Sequence, residues 1–203
     1  MTKKKFTNKI DELGKLQGYI KPEFHSGVLK LDSNENFVIN KQLQQDLINT
    51  AQKSSDIREY PLGRAEKLIE SIADYVGLTK QMVGVGNGSD QILDMFLSNF
   101  ASKKTRILTS NPTFGFFEER CKLYQIPTIK IPFSKNMTLN IDDFLAKSKQ
   151  ADIIYLDSPN NPTGFQFKKE EILELVKKFD GIIIVDEAYG EFSDYSLANF
   201  TKK

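Results

Sequence analysis

Three polar clusters in this sequence each follow a short apolar run. GNGSD (86–90) follows MVGV, DSPNNPTG (157–164) follows IIYL, and DEAY (186–189) follows GIIIV. In GNGSD, Gly88 lets an anion approach the main chain, and the amides of Ser89 and Asp90 with the Ser89 hydroxyl can point from a helix N-terminus toward a phosphate. The same residues equally suit a plain strand-to-helix turn, because Gly and Asn accept positive φ and Ser caps helices. Asp186 is a carboxylate at a strand end. It can cap a turn, or it can hold a proton on a heteroaromatic nitrogen. NNPTG taken alone is a turn signal.

Other chemistries are disfavoured. After Gly84 and Gly86 the third glycine falls at Gly88, one residue too early for the dinucleotide pattern GxGxxG. IIIVDE resembles the magnesium-binding strand of P-loop ATPases, but the chain has no GxxxxGK[ST] loop to go with it. His25 is the only histidine and Cys121 the only cysteine, which argues against a metal site or a Ser-His-Asp triad and excludes an intramolecular disulfide. Cys121 shares a helical stripe with Phe117 and Tyr124 and reads as core, while the lysine-rich segment 168–178 reads as a solvated face. The 28 basic and 27 acidic side chains leave a net charge of +1, so nothing electrostatic marks nucleic acid or an anionic membrane as a partner. The basic head MTKKK runs into polar FTNKIDELGK, and no apolar run approaches the ~20 residues of a membrane span. A soluble, cytoplasmic protein is expected.

The elements that must position these clusters follow from periodicity. The first 30 residues are polar, with Pro22 and Gly27 as breakers, and read as an arm. RAEKLIESIADYVG places Leu68, Ile69, Ile72, Tyr75 and Val76 on one stripe, closed by Gly77 at C′. MVGVGNG reads as strand and tight turn, with Ser89 capping a helix that carries Ile92, Leu93, Phe96 and Leu97. Then come RILT, a helix through FFEERCKLY, strand TIKIP, a helix through IDDFLAKSK, strand DIIYLD, the helix KKEEILELVKKF and strand GIIIVD. Short β-rich runs separated by helical segments predict βα units, hence a three-layer α/β/α domain with a mostly parallel sheet over residues 31–203. Ligands of such sheets bind at the carboxyl ends of the strands, where all three polar clusters fall.

In order along the chain, LDSNEN, REYP, GNGSDQ, NPTFGFF, SPNNPTG and VDEAYGEF resemble the motif series of fold-type-I pyridoxal-phosphate (PLP) aminotransferases, most closely the histidinol-phosphate branch. The resemblance spans residues 31–193. It implies that Gly88, Ser89 and Asp90 form a phosphate loop and that Phe114 stacks on the pyridine ring, where the family more often has Tyr. It implies that Asn161 and Tyr189 hydrogen-bond the cofactor's phenolic oxygen, that Asp186 pairs with the pyridine nitrogen, and that Tyr60 reaches the phosphate bound by a second subunit of a homodimer. A carboxylate beside the ring nitrogen keeps it protonated, as an electron sink requires. An amino-acid or phosphate-bearing substrate and 2-oxoglutarate are the implied partners. Phe37 stands where NENP motifs carry proline, which weakens the subgroup more than the family.

The same resemblance places the Schiff-base lysine, and the arginine that holds the substrate carboxylate, further along a family chain than residue 203. No catalytic residue is therefore assigned within this sequence. The expectation is an N-terminal arm and most of a cofactor-binding domain, inactive alone, with an unpaired sheet edge. Another aminotransferase or a decarboxylase of the same fold, with an aromatic amino acid or threonine phosphate as substrate, is the nearest competitor. A complete chain acting as a non-catalytic binding module is the alternative from another class.

Overall fold

In a computed structural model of the chain, residues 11, 13–15, 26–31, 33–54, 56, 58 and 64–200 are described. Helix α1 spans Lys41–Ser54, α2 Arg64–Val76 and α3 Gly88–Phe100. Three βα repeats and a final strand follow: β1 Ile107–Asn111, α4 Gly115–Leu123, β2 Thr128–Pro132, α5 Ile141–Ser148, β3 Ile153–Asp157, α6 Lys169–Lys178 and β4 Ile182–Asp186. The strands form one parallel sheet in the order β2-β1-β3-β4.

The three layers follow from alternation along the strands. Ile107, Ile153 and Tyr155 face one side, where they pack with Leu93 and Leu97 of α3 and Phe117 and Cys121 of α4. Leu108, Ile154 and Leu156 face the other side, against Ile141 and Phe144 of α5 and Ile172 and Leu175 of α6. Both faces of the central strands are thus covered, which is why IIYL carries no polar break. On the α5/α6 side, Phe165 meets Phe133 and Phe167 edge-on at 5.7 and 5.1 Å between ring centroids. Cys121 is buried as expected, and burial pushes its thiol up to about 12. The lysine-rich helix α6 buries Ile172 and Leu175 and leaves Lys177 and Lys178 exposed.

Connections leave the centre of the sheet in opposite directions. β1 leads through α4 to β2 on one side, and β3 leads through α6 to β4 on the other. The β1–β2 ladder runs to Asn111↔Pro132 and the β3–β4 ladder to Asp157↔Asp186, whereas the β1–β3 ladder runs only through Ile107↔Ile153 and Leu108↔Ile154. The carboxyl ends of β1 and β3 therefore flank a topological switch point, the position where open parallel sheets hold ligands.

Three local expectations change. The stretch MVGVGNG forms a 3-10 turn at Lys80–Met82 followed by irregular chain, not a strand. A strand exists only through its ladder partner, and Gly84 and Gly86 offer no side chains to pack in place of one. Helix α3 starts at Gly88, so its cap position is Asn87 and Ser89 lies inside the first turn. Helix α1 answers to no sequence-based expectation; it is opened by Asn40, whose Oδ1 accepts the Leu43 N–H at 2.8 Å. The apolar stripe of α2 forms, with Gly77 at φ +69° and the Leu78 N–H reaching the Ala73 carbonyl at 2.8 Å, but Leu68 and Tyr75 are exposed. No helix among the described residues is long and apolar enough to cross a membrane.

Candidate cofactor site at the strand ends

The turn chemistry of DSPNNPTG is a self-contained bonding scheme anchored on buried side chains. Asn160 Oδ1 accepts the Thr163 hydroxyl at 2.6 Å and the Thr163 amide at 3.1 Å, and Asn160 Nδ2 donates to the Pro112 carbonyl at 3.2 Å. The main chain closes through Gly164 N–H to the Asn160 carbonyl and Asn160 N–H to the Phe165 carbonyl, both at 2.8 Å. That closure puts Gly164 at φ +73°, which glycine adopts without cost. Asn161 is thereby presented at the strand end with its side chain free of the turn's own bonding.

Asp186 and Tyr189 stand with Asn161 at this rim. Asp186 ends β4; its Oδ2 accepts the Tyr155 hydroxyl at 2.8 Å and its Oδ1 the Ala188 amide at 3.0 Å. Tyr155 is fully buried and stacked on Phe117 at 3.6 Å between centroids and 11° between planes. Burial, then the nearby Asp186 and Asp157 carboxylates, holds its phenol well above the ordinary tyrosine range. Tyr189 lies three residues beyond Asp186, and its hydroxyl accepts a 2.7 Å bond from Asn34 Nδ2. Gly88, at φ +74°, turns the chain into α3, whose first-turn amides have no intrahelical acceptor. The Asp90 carboxyl in that turn is raised by burial, lowered by Arg120 and raised again by Asp186.

Ser89, Phe114, Asn161, Asp186 and Tyr189, five of the residues singled out from sequence, line one cavity of about 60 Å³ together with Asp157. A wider cleft of about 470 Å³ shares Pro159, Asn161 and Tyr189 with it and adds Asn34, Gln166 and Phe192. Gly88 and Asp90 flank Ser89 in the same turn without lining the cavity. Tyr60 and His25 lie outside the described residues. Sequence reasoning missed Tyr155, Asp157, Asn160 and Asn34 as site-building residues. Asp157 and Asn160 stood inside the quoted octapeptide and Asn34 inside LDSNEN; Tyr155 carried no signal beyond its place in a buried strand.

The donor set suits a planar, phosphate-bearing heteroaromatic ligand. Asp186 offers a carboxylate, Asn161 and the Tyr189 hydroxyl offer neutral polar groups, Phe114 offers a flat aromatic face and the N-terminus of α3 offers amides. Among the described residues no cluster of metal-ligating side chains accompanies it.

Such a sheet, with connections leaving its centre in opposite directions, defines a doubly wound α/β protein. The chain belongs to the aminotransferase class I and II family, whose model matches residues 23–202. It is 34% identical over 168 residues to the histidinol-phosphate aminotransferase of Pyrococcus furiosus, covering 82% of this chain and 48% of that protein. The corresponding enzyme of Thermoanaerobacter sp. is 32% identical over 184 residues, at 87% and 52% coverage. The chain thus spans about half the length of the curated relatives it matches. Among solved structures, the histidinol-phosphate aminotransferase of Clostridium acetobutylicum superposes with a TM-score of 0.68 at 27% identity, over 78% of this chain and 47% of that one. The PLP complex of the Sinorhizobium meliloti enzyme shares the fold, with a TM-score of 0.66 at 20% identity over 72% and 41%.

Proposed function

We propose that this chain is the cofactor-binding portion of a PLP-dependent aminotransferase that exchanges an amino group between histidinol phosphate and 2-oxoglutarate in histidine biosynthesis. The observation that carries the reading is the convergence of Ser89, Phe114, Asn161, Asp186 and Tyr189 on one cavity. Asp186 holds the proton on the pyridine nitrogen, and Phe114 covers a face of the ring. Asn161 and the Tyr189 hydroxyl bond the phenolic oxygen, while Ser89 and the Gly88–Asp90 turn receive the phosphate. PLP bound there supplies an electron sink for the substrate's α-carbon. The protein works in the cytoplasm as a homodimer, with residues 1–30 as an arm, residues 31–203 as the cofactor domain and Tyr60 completing the neighbouring subunit's phosphate site.

The Schiff-base lysine lies beyond residue 203 in this reading, so the 203-residue chain by itself is expected to bind PLP weakly and reversibly and to transfer no amino group. Loss of a proton-shuttling group alone removes a factor of ~10² to 10⁴. Two measurements test the proposal. The complete gene product is assayed against histidinol phosphate, phenylalanine and threonine phosphate with 2-oxoglutarate; negligible turnover of histidinol phosphate overturns the substrate. The chain alone is incubated with PLP and borohydride; a single reduced lysine accompanied by amino transfer shows that a lysine within these residues is catalytic.

A further inference from the structure

We infer that Asp157 is the positioning residue that sets the gap between Phe114 and Asn161, the two residues that meet the cofactor ring in the reading above, on which this inference rests. Its Oδ2 accepts the Phe114 amide at 3.2 Å and the Asn161 amide at 3.0 Å. One oxygen therefore fixes the main chain of both residues. Its Oδ1 accepts the Thr113 hydroxyl at 3.0 Å and Asn160 Nδ2 at 2.9 Å.

The clamp stands where the sheet itself provides none. The β1–β3 ladder runs only through Leu108↔Ile154, so the loop after β1 that carries Phe114 and the loop after β3 that carries Asn161 leave the sheet on diverging strands. Asp157, 4% exposed and at the very end of β3, spans that divergence. Only a carboxylate suits the place, because four donors converge on it and an ionised carboxyl is acceptor-only. An asparagine there offers a single acceptor oxygen and turns its own amide protons toward two donors. Burial raises the carboxyl, while the bonds from Asn161, Asn160 and Thr113 lower it. These bonds oppose the desolvation of a charge that performs no chemistry of its own.

Asp157→Asn keeps the shape of the side chain and removes half of its acceptors. PLP titration of the purified chain, followed by tyrosine fluorescence, is expected to show about tenfold weaker binding in this variant, the scale of a lost charge-assisted bond. Thr113→Val deletes a donor to Oδ1 and leaves Oδ2 untouched, so its affinity is expected to stay within about threefold of wild type. Binding by Asp157→Asn within about twofold of wild type, or equal damage from Thr113→Val, overturns the inference. Amide hydrogen exchange on the unsubstituted chain gives a readout independent of PLP and of how well the variants fold. The Phe114 and Asn161 amides are expected to exchange at least about 100-fold more slowly than exposed loop amides, and free-loop exchange at either one removes the clamp. Slow exchange at both amides in a chain that binds no PLP leaves the clamp standing and overturns the cofactor assignment instead.

Discussion

The Tyr155 hydroxyl donates a 2.8 Å hydrogen bond to Asp186 Oδ2, from a ring that is itself stacked on Phe117. In the β3–β4 ladder Asp186 pairs with Asp157, so Tyr155 lies two residues back on the neighbouring strand and the bond runs diagonally across the same sheet face. The Ala188 amide holds the other Asp186 oxygen. Packing in the core thus fixes the orientation of a carboxylate at the rim, because the tyrosine that aims it cannot move without disturbing Phe117. Removing that donor with Tyr155→Phe keeps the stack. The expected cost is about 1 kcal/mol, since a charge-assisted bond is lost while a buried hydroxyl is also removed. Urea unfolding with an unchanged slope checks the stability, and a weaker PLP affinity in the same variant checks that Asp186 depends on its donor.

Alkaline pH separates Tyr155 from an ordinary surface tyrosine. Its folded-state pKa is raised, chiefly by burial, so its contribution to stability is fully present below the unfolded value near ~10 and is lost as pH rises above it. Tyr124 and Tyr195 shift in the same direction. The difference between wild type and Tyr155→Phe isolates the one group. Between pH 8 and pH 11 the urea midpoint of wild type is expected to fall further than that of the variant; parallel curves contradict the assignment.

Phe117 and Cys121 test the α4 side of the core. Phe117→Ala removes the ring beneath Tyr155 and is expected to cost about 3–5 kcal/mol, enough to unfold a marginal domain. Cys121, its thiol pushed up to about 12 and its side chain buried, is expected to resist a disulfide-exchange reagent at pH 8 until the chain opens. Reaction kinetics with increasing urea check this. Immediate stoichiometric labelling of folded protein shows that the α3/α4 face is open.

The parts of this fold that were legible from sequence are those whose signal is local. TIKIP and DIIYLD became β2 and β3 because β-branched runs bounded by turn residues leave little choice, and Gly77 closed α2 through a positive φ that glycine tolerates. MVGVGNG carries the same local signal as those strands and forms none, because a ladder partner is a property of the whole sheet. Helix α1 was missed because KQLQQDLINT is mostly polar, so the short face formed by Leu43, Leu47 and Ile48 is a weak signal, and in the structure that face stays exposed. Asn161 and Asp186 were readable as motif residues. Asp157 and Tyr155 were not, since their roles depend on bonds to residues 31 to 44 positions away, namely Thr113, Phe114 and Asp186, which no spacing rule connects.

Two glycine-to-alanine substitutions distinguish conformational from steric need at the sheet's rim and at its base. A Cβ at Gly88 meets nothing within 4 Å, so the cost of Gly88→Ala is only that of holding φ +74° with an L side chain, about 1–2 kcal/mol. Relief of that strain re-aims the first turn of α3, and PLP affinity is expected to fall with the stability. At Gly181, just before β4, a Cβ meets the Asp152 carbonyl at 2.6 Å and the Phe179 ring at 2.4 Å. The ring can swing aside, but the carbonyl belongs to the chain entering β3 and accepts the Ile182 amide at 3.3 Å. Gly181→Ala must therefore push β4 away from β3 at its start, at about 1–3 kcal/mol. Because Asp186 lies at the far end of β4, where Tyr155 and Ala188 still hold it, the loss of stability in Gly181→Ala is expected to leave PLP affinity of the folded fraction within about twofold of wild type. Urea unfolding and PLP titration of both variants check the pair. Equal losses of affinity contradict the division between a strained turn at the site and a crowded contact at the other end of the strand.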